Sequence, residues 1–323
     1  MMFVLSRRAS RCESKRGRGI LRFPVILALL LVPLHLASCV DHHHGSPQAP
    51  VDWQRDFTTF THSDGRIAHE VLVRGEGPPV LLLHEIPGAM NETLALAMRL
   101  ARDGFRVYLP ILFGKPGDDA MVLNSIRSCV TGDFDCFSKE GSGAVVGWLR
   151  DLSRTIRDRE GDPARGMAAI GMCLTGSIPI ELAADPWIEG LVMSQPGLPL
   201  FGGEAALAVS PSSLECVRAR ALPVLYFRYS EDGISPQQRL DALESALPGL
   251  VRARVIDSSD GNPHGLDEGA HAVLSSGYVD RPGDPGMEAY ATLVAFLEER
   301  IGVDENGSVR APRDRSPGRE ACR

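Results

Sequence analysis

The sequence predicts an α/β fold: a mostly parallel central sheet with helices on both faces. Two observations lead there. Short, continuous apolar runs alternate with helix-like segments, as expected of strands buried on both sides. The chain has 323 residues, 44% of them hydrophobic. Once its ends are set aside, that is enough for a single core of roughly 250 residues.

The elements follow in order. Residues 57–61 and 67–73 read as an opening hairpin turning at Asp64-Gly65. A short apolar strand at 80–83 precedes a helix over 92–102, which ends at Gly104. A strand at 107–109, a helix around 144–157 and a strand at 167–170 come next. The series closes with a helix at 174–184, strands at 190–194 and 223–229, a helix at 236–247, a strand at 252–256 and a helix at 287–299.

The ends differ in character. Arg7, Arg8, Arg11, Lys15, Arg16, Arg18 and Arg22 precede an apolar run over 23–36, followed by Leu36-Ala37-Ser38-Cys39. A basic stretch, a short apolar core and small residues form the pattern of a signal peptide over 1–39. The apolar run is short for a spanning helix. Its ending resembles a bacterial lipobox, which implies lipidation at Cys39 and an exported protein anchored to a membrane of the cell envelope. An uncleaved anchor, or a start codon placed too early, is the alternative. Residues 40–55 read as a flexible linker. Its His42, His43 and His44 are expected to be solvated, since no further ligand group lies nearby. The folded domain is expected over 56–302, and the polar tail over 303–323 is expected to be disordered.

A net charge of −7 argues against a nucleic-acid partner. Export would leave Cys129, Cys136, Cys173, Cys216 and Cys322 in the mature chain, with Cys129 and Cys136 close enough for a local disulfide. No CxxC pair supports a zinc ribbon or redox motif, and no cofactor is expected.

The strand at 167–170 runs into Gly171-Met172-Cys173-Leu174-Thr175-Gly176, then a helix. This is the context of a nucleophile elbow, in which the turn strains the nucleophile and its neighbours must be small. A sulfur at a helix N-terminus would be favoured as thiolate. A buried core cysteine is the plainer reading. Thr175 is bulkier than the usual glycine, and Pro179 sits early in the helix. Asp232 and His264 follow strands in the order nucleophile, acid, histidine. Glu231 is a rival acid and His271 a rival base; His264 is preferred because it lies closer to its strand end. Asp257 and Asp260 read as turn residues. Glu85, in His84-Glu85-Ile86-Pro87-Gly88, lies on a loop expected near the elbow.

These motifs, with Gly104-Phe105-Arg106-Val107-Tyr108-Leu109-Pro110 and Asn262-Pro263-His264-Gly265, resemble the dienelactone hydrolase family over about residues 56–302. The resemblance implies an α/β-hydrolase fold and metal-free hydrolysis of small esters or lactones through an acyl-thioester. It implies Cys173 as nucleophile, His264 as base, Asp232 as its orienter and Glu85 as acceptor of the thiol proton. The N–H groups of Ile86 and Leu174 would form the oxyanion hole. Family members that act on the dienelactone bind its carboxylate with two arginines, one shortly after the histidine. Here Gly265, Leu266, Asp267 and Glu268 follow His264; Arg127 is the candidate for the other arginine, with an ordinary surface arginine as the alternative. Two other classes compete: a catalytically idle fold serving as an envelope binding protein, and a glutamine-amidotransferase-like cysteine enzyme. The late Asp and His, each after its own strand, favour the hydrolase.

Overall fold

The structure is a computed structural model that describes residues 48–86, 88–117, 143–162, 166–197, 199, 203–302 and 322. Its strands are β1 (Thr58–Ser63), β2 (Ala68–Arg74), β3 (Pro79–Leu83), β4 (Arg106–Pro110), β5 (Met167–Met172), β6 (Ile188–Ser194), β7 (Val224–Tyr229) and β8 (Val251–Ile256). They form one sheet in the order β1-β2-β4-β3-β5-β6-β7-β8. The pairs β1/β2 and β2/β4 are antiparallel, and the remaining neighbours are parallel. The opening hairpin is as expected. Asp64 shapes its turn by accepting the Arg66 and Ile67 N–H groups, both at 2.8 Å.

Strands β3, β5, β6 and β7 are buried along their whole length, so their apolar runs show no polar alternation. Successive side chains still alternate between faces. Leu81 and Leu83 join one core with Trp148, Leu149 and Leu152 of a helix over Gly143–Glu160 (α3). Val80 and Leu82 join the opposite core. There they meet Leu94 and Leu100 of a helix over Asn91–Arg102 (α2), and Leu293 and Leu297 of a helix over Pro285–Ile301 (α7). The remaining helices are α1 (Trp53–Asp56), α4 (Ile178–Glu181), α5 (Pro211–Ala219) and α6 (Gln237–Ala246). Among the described residues no helix is long and apolar enough to cross a membrane.

Three expectations change. The helix expected over 174–184 is broken into a 3-10 turn at Cys173–Thr175, the short α4 and a second 3-10 turn at Leu182–Ala184. Pro179 removes a backbone donor where a continuous helix would need one. The linker expected over 40–55 is docked from Gln48 onward. Gln48 donates to the Ser275 carbonyl at 2.9 Å and accepts from Arg99 at 2.6 Å, and Val51 N–H donates to Asn91 at 2.8 Å. Its polar, proline-containing composition did not reveal these partners across the fold. The tail is tied at Cys322, which forms a disulfide with Cys216 of α5; the two Cα atoms are 5.0 Å apart. Cys39, the three linker histidines, Arg127, Cys129 and Cys136 lie outside the described residues.

Candidate active site

Cys173 follows the last residue of β5 with φ of 49°, in the left-handed region that strains a side chain with a Cβ. The tight turn explains its small neighbours. A Cβ on Gly171 would overlap the Thr175 carbonyl oxygen, and one on Gly176 would come within 2.5 Å of Pro196 Cα. Thr175, which departs from the usual pattern, braces the elbow. Its hydroxyl accepts the Met172 N–H at 3.0 Å and lies 3.2 Å from the carbonyl oxygens of both Leu83 and His84. A glycine could not tie the end of β5 to the end of β3 in this way.

Asp232, on the loop after β7, is buried while Glu231 beside it is exposed. One Asp232 oxygen accepts the N–H groups of Ile234 and Ser235, each at 3.0 Å. The other lies 2.8 Å from His271 Nδ1. The ring also interacts with the Cys173 sulfur, while its Nε2 is buried with no fully formed hydrogen bond. Burial alone would push His271 down. The Asp232 carboxylate and the Cys173 sulfur outweigh it and push His271 well above 6.5, favouring its protonated form.

His264 is not the histidine brought to this cluster. It is exposed, on a turn in which Asn262 Oδ1 accepts the N–H groups of His264 and Leu266 at 3.1 and 2.9 Å. The chain returns to the interior only at Ala270-His271, next to buried Val273 and Leu274. Proximity to the strand end was therefore the wrong criterion. Apolar neighbours, which mark a desolvated position, were the usable signal.

Glu85 is buried on the loop after β3. Ser275 Oγ donates to one of its oxygens and Gln195 Nε2 to the other, the latter at 3.1 Å. Burial pushes its carboxyl up, and these two hydrogen bonds only partly offset that. His84 sets the loop. Its Nε2 accepts the Leu112 N–H at 3.0 Å, so Nδ1 carries the proton and donates to the Glu85 carbonyl. Burial lowers its pKa to about 4, and the ring stays neutral. Ile86 and Leu174 are both buried in the core beneath the site.

Gln195 was missed by sequence reasoning. It follows β6 with φ of 34° and links three loops. Besides donating to Glu85, its Oε1 accepts from Ser194 Oγ and from the Val273 N–H, next to the histidine. Ser275 and Arg239 were missed as well. For Gln195 the available signal was position alone, just past the end of β6 on the edge where such sheets place ligands; Arg239, inside α6, and Ser275, far past β8, carried no such signal. The residues after His271 are Ala272, Val273, Leu274 and Ser275, again without arginine.

Residues 64–281 match the family model described as the dienelactone hydrolase family. A comparison with curated proteins found no match. Among solved structures the chain is similar to m3DLH, with 20% identity and a TM-score of 0.54 over 76% of this chain and 98% of that one. It is also similar to the dienelactone hydrolase from Anabaena variabilis ATCC 29413, with 16% identity and a TM-score of 0.51 over 76% and 98%. A thermostable carboxyl esterase from Bacillus coagulans shares 12% identity with a TM-score of 0.51 over 76% and 99%. At these identities the likeness is one of fold, an α/β-hydrolase sheet. The family match spans about two thirds of the sequence, and the chain belongs to the dienelactone hydrolase family of hydrolases.

Proposed function

We propose that the chain hydrolyses small neutral esters or lactones with Cys173 as nucleophile, His271 as base and Asp232 as its orienter. The observation that carries this is the placement of one imidazole between Asp232, at 2.8 Å, and the strained Cys173. In this reading the thiol proton passes to His271 and the thiolate attacks the acyl carbon. The N–H groups of Ile86 and Leu174 receive the oxyanion. His271 then protonates the departing alcohol oxygen, leaving an acyl-thioester on Cys173. Water, deprotonated by His271, cleaves that thioester and releases the carboxylic acid. Glu85 offers a second proton acceptor near His271, and its weakened acidity suits that task.

Neutral substrates are favoured because Ser275, not arginine, stands shortly after the histidine and is engaged with Glu85. We also propose export and lipid anchoring at Cys39. The Cys216–Cys322 disulfide supports an oxidising compartment.

The test is a panel of esters and lactones, including p-nitrophenyl acetate, on the chain lacking residues 1–39. Hydrolysis is expected with the wild-type protein and is expected to vanish in Cys173→Ala. Undiminished hydrolysis by that variant would overturn the assignment.

A further inference from the structure

The broken helix after Cys173 leaves a question about charge. A single 3-10 turn carries little of the dipole that a long helix would aim at the sulfur. A fixed cation stands near it instead. Arg239 of α6 is 4% exposed. Its Nε donates to the Ala206 carbonyl at 2.8 Å, and its Nη1 donates to the carbonyls of Pro196 at 2.5 Å and Ile234 at 3.0 Å. These hydrogen bonds run to neutral main-chain oxygens rather than to a carboxylate. Burying a charge in this way is costly, which calls for a use.

Two of these carbonyls, those of Pro196 and Ile234, belong to segments that form the site. Pro196 packs against Gly176, and the next residue, Gly197, donates its N–H to the Cys173 carbonyl at 2.8 Å. Gly197 also borders the sulfur: a Cβ there would sit 3.2 Å from Sγ. Ile234 donates its own N–H to Asp232 while Arg239 holds its carbonyl. One guanidinium thus joins the segment lying on the nucleophile to the loop that carries the acid. Burial lowers its pKa, and Tyr226, Asp232 and Cys173 attract it electrostatically in opposition.

We propose that Arg239 is a positioning residue of the active site, holding the Pro196-Gly197 segment and the Asp232 loop in register with Cys173 and placing a buried positive charge where the sulfur ionises. This rests on the reading of Cys173 as nucleophile. Only a planar fork can serve these diverging carbonyls, whereas lysine would supply charge without the geometry.

Arg239→Met and Arg239→Lys separate the two roles. The readouts are the rate of alkylation of Cys173 by iodoacetamide from about pH 5 to 10, and kcat and KM on p-nitrophenyl acetate. Arg239→Met is expected to move the alkylation midpoint upward and slow alkylation near neutral pH about tenfold. Arg239→Lys is expected to alkylate within about threefold of wild type, yet to lose about tenfold in kcat with little change in KM. A packing role alone would lower the stability of both variants and leave the midpoint in place, so an unmoved midpoint in Arg239→Met overturns the charge role. Wild-type kcat in Arg239→Lys overturns the positioning role, and that variant decides the matter if the methionine variant fails to fold. Alkylation reads the sulfur itself, so these outcomes stand apart from whether any ester is turned over.

Discussion

His271 Nδ1 lies 2.8 Å from Asp232 Oδ2 in a buried pair, while His264, seven positions earlier in the chain, is exposed. The two histidines therefore give opposite expectations. His271→Ala should lower kcat/KM on p-nitrophenyl acetate by about 10²–10⁴-fold, the usual worth of a general base. His264→Ala should stay within about twofold of wild type, since its side chain lies outside the pair. Equal losses in the two variants would contradict the assignment.

The elbow is braced by a hydroxyl. Thr175→Val keeps the shape but deprives the Met172 N–H of its acceptor and the carbonyls at the end of β3 of a donor. Leaving buried polar groups unmade costs about 1–3 kcal/mol. Chemical denaturation should show a loss in that range. Thr175→Ser, which keeps the hydroxyl, should recover most of it.

Much of the fold was legible because burial imposes period. The runs at β3 and β5 are apolar throughout and that at β7 is interrupted only by Arg228, so parallel strands could be placed before any contact was known. Cys173 and Asp232 were legible for the same reason: each follows a strand end closely, with turn residues around it. His271 was not, since fifteen positions separate it from the end of β8. A loop of that length can return to the core anywhere its side chains allow. Gln195, Ser275 and Arg239 were hidden more deeply, because each acts through main-chain or carboxylate partners remote in sequence. The docking of Gln48 and the pairing of Cys216 with Cys322 are likewise long-range facts that local composition does not encode.

Glu85 makes stability depend on pH. Burial raises its pKa in the folded chain above the ordinary carboxylate value. Its contribution is thus fully present below that ordinary value and is lost as pH rises through the raised one. Glu85→Gln retains a carbonyl for the Gln195 amide and removes the titration. Thermal melts from acid to neutral pH should show a smaller fall in Tm for Glu85→Gln than for wild type. An identical pH dependence would mean that the carboxyl titrates normally.

His84 supplies the opposite slope. Burial holds its pKa down at about 4, against about 6.5 in an unfolded chain. The neutral ring is the form that accepts the Leu112 N–H, so its stabilisation is fully present above the unfolded value and is lost as pH falls toward the folded one. The span corresponds to about 3 kcal/mol over that window. His84→Gln keeps an acceptor and a donor while removing the charge change. Its denaturation free energy should therefore fall less than that of wild type between about pH 6.5 and 4. A wild-type slope in the variant would move the acid sensitivity elsewhere. Loss of the His84 brace should also loosen the loop carrying Glu85 and Ile86. Hydrogen-exchange protection at the Leu112 N–H, corrected for the intrinsic rate, should then fall in wild type as pH approaches about 4, where protonation begins to compete with that hydrogen bond.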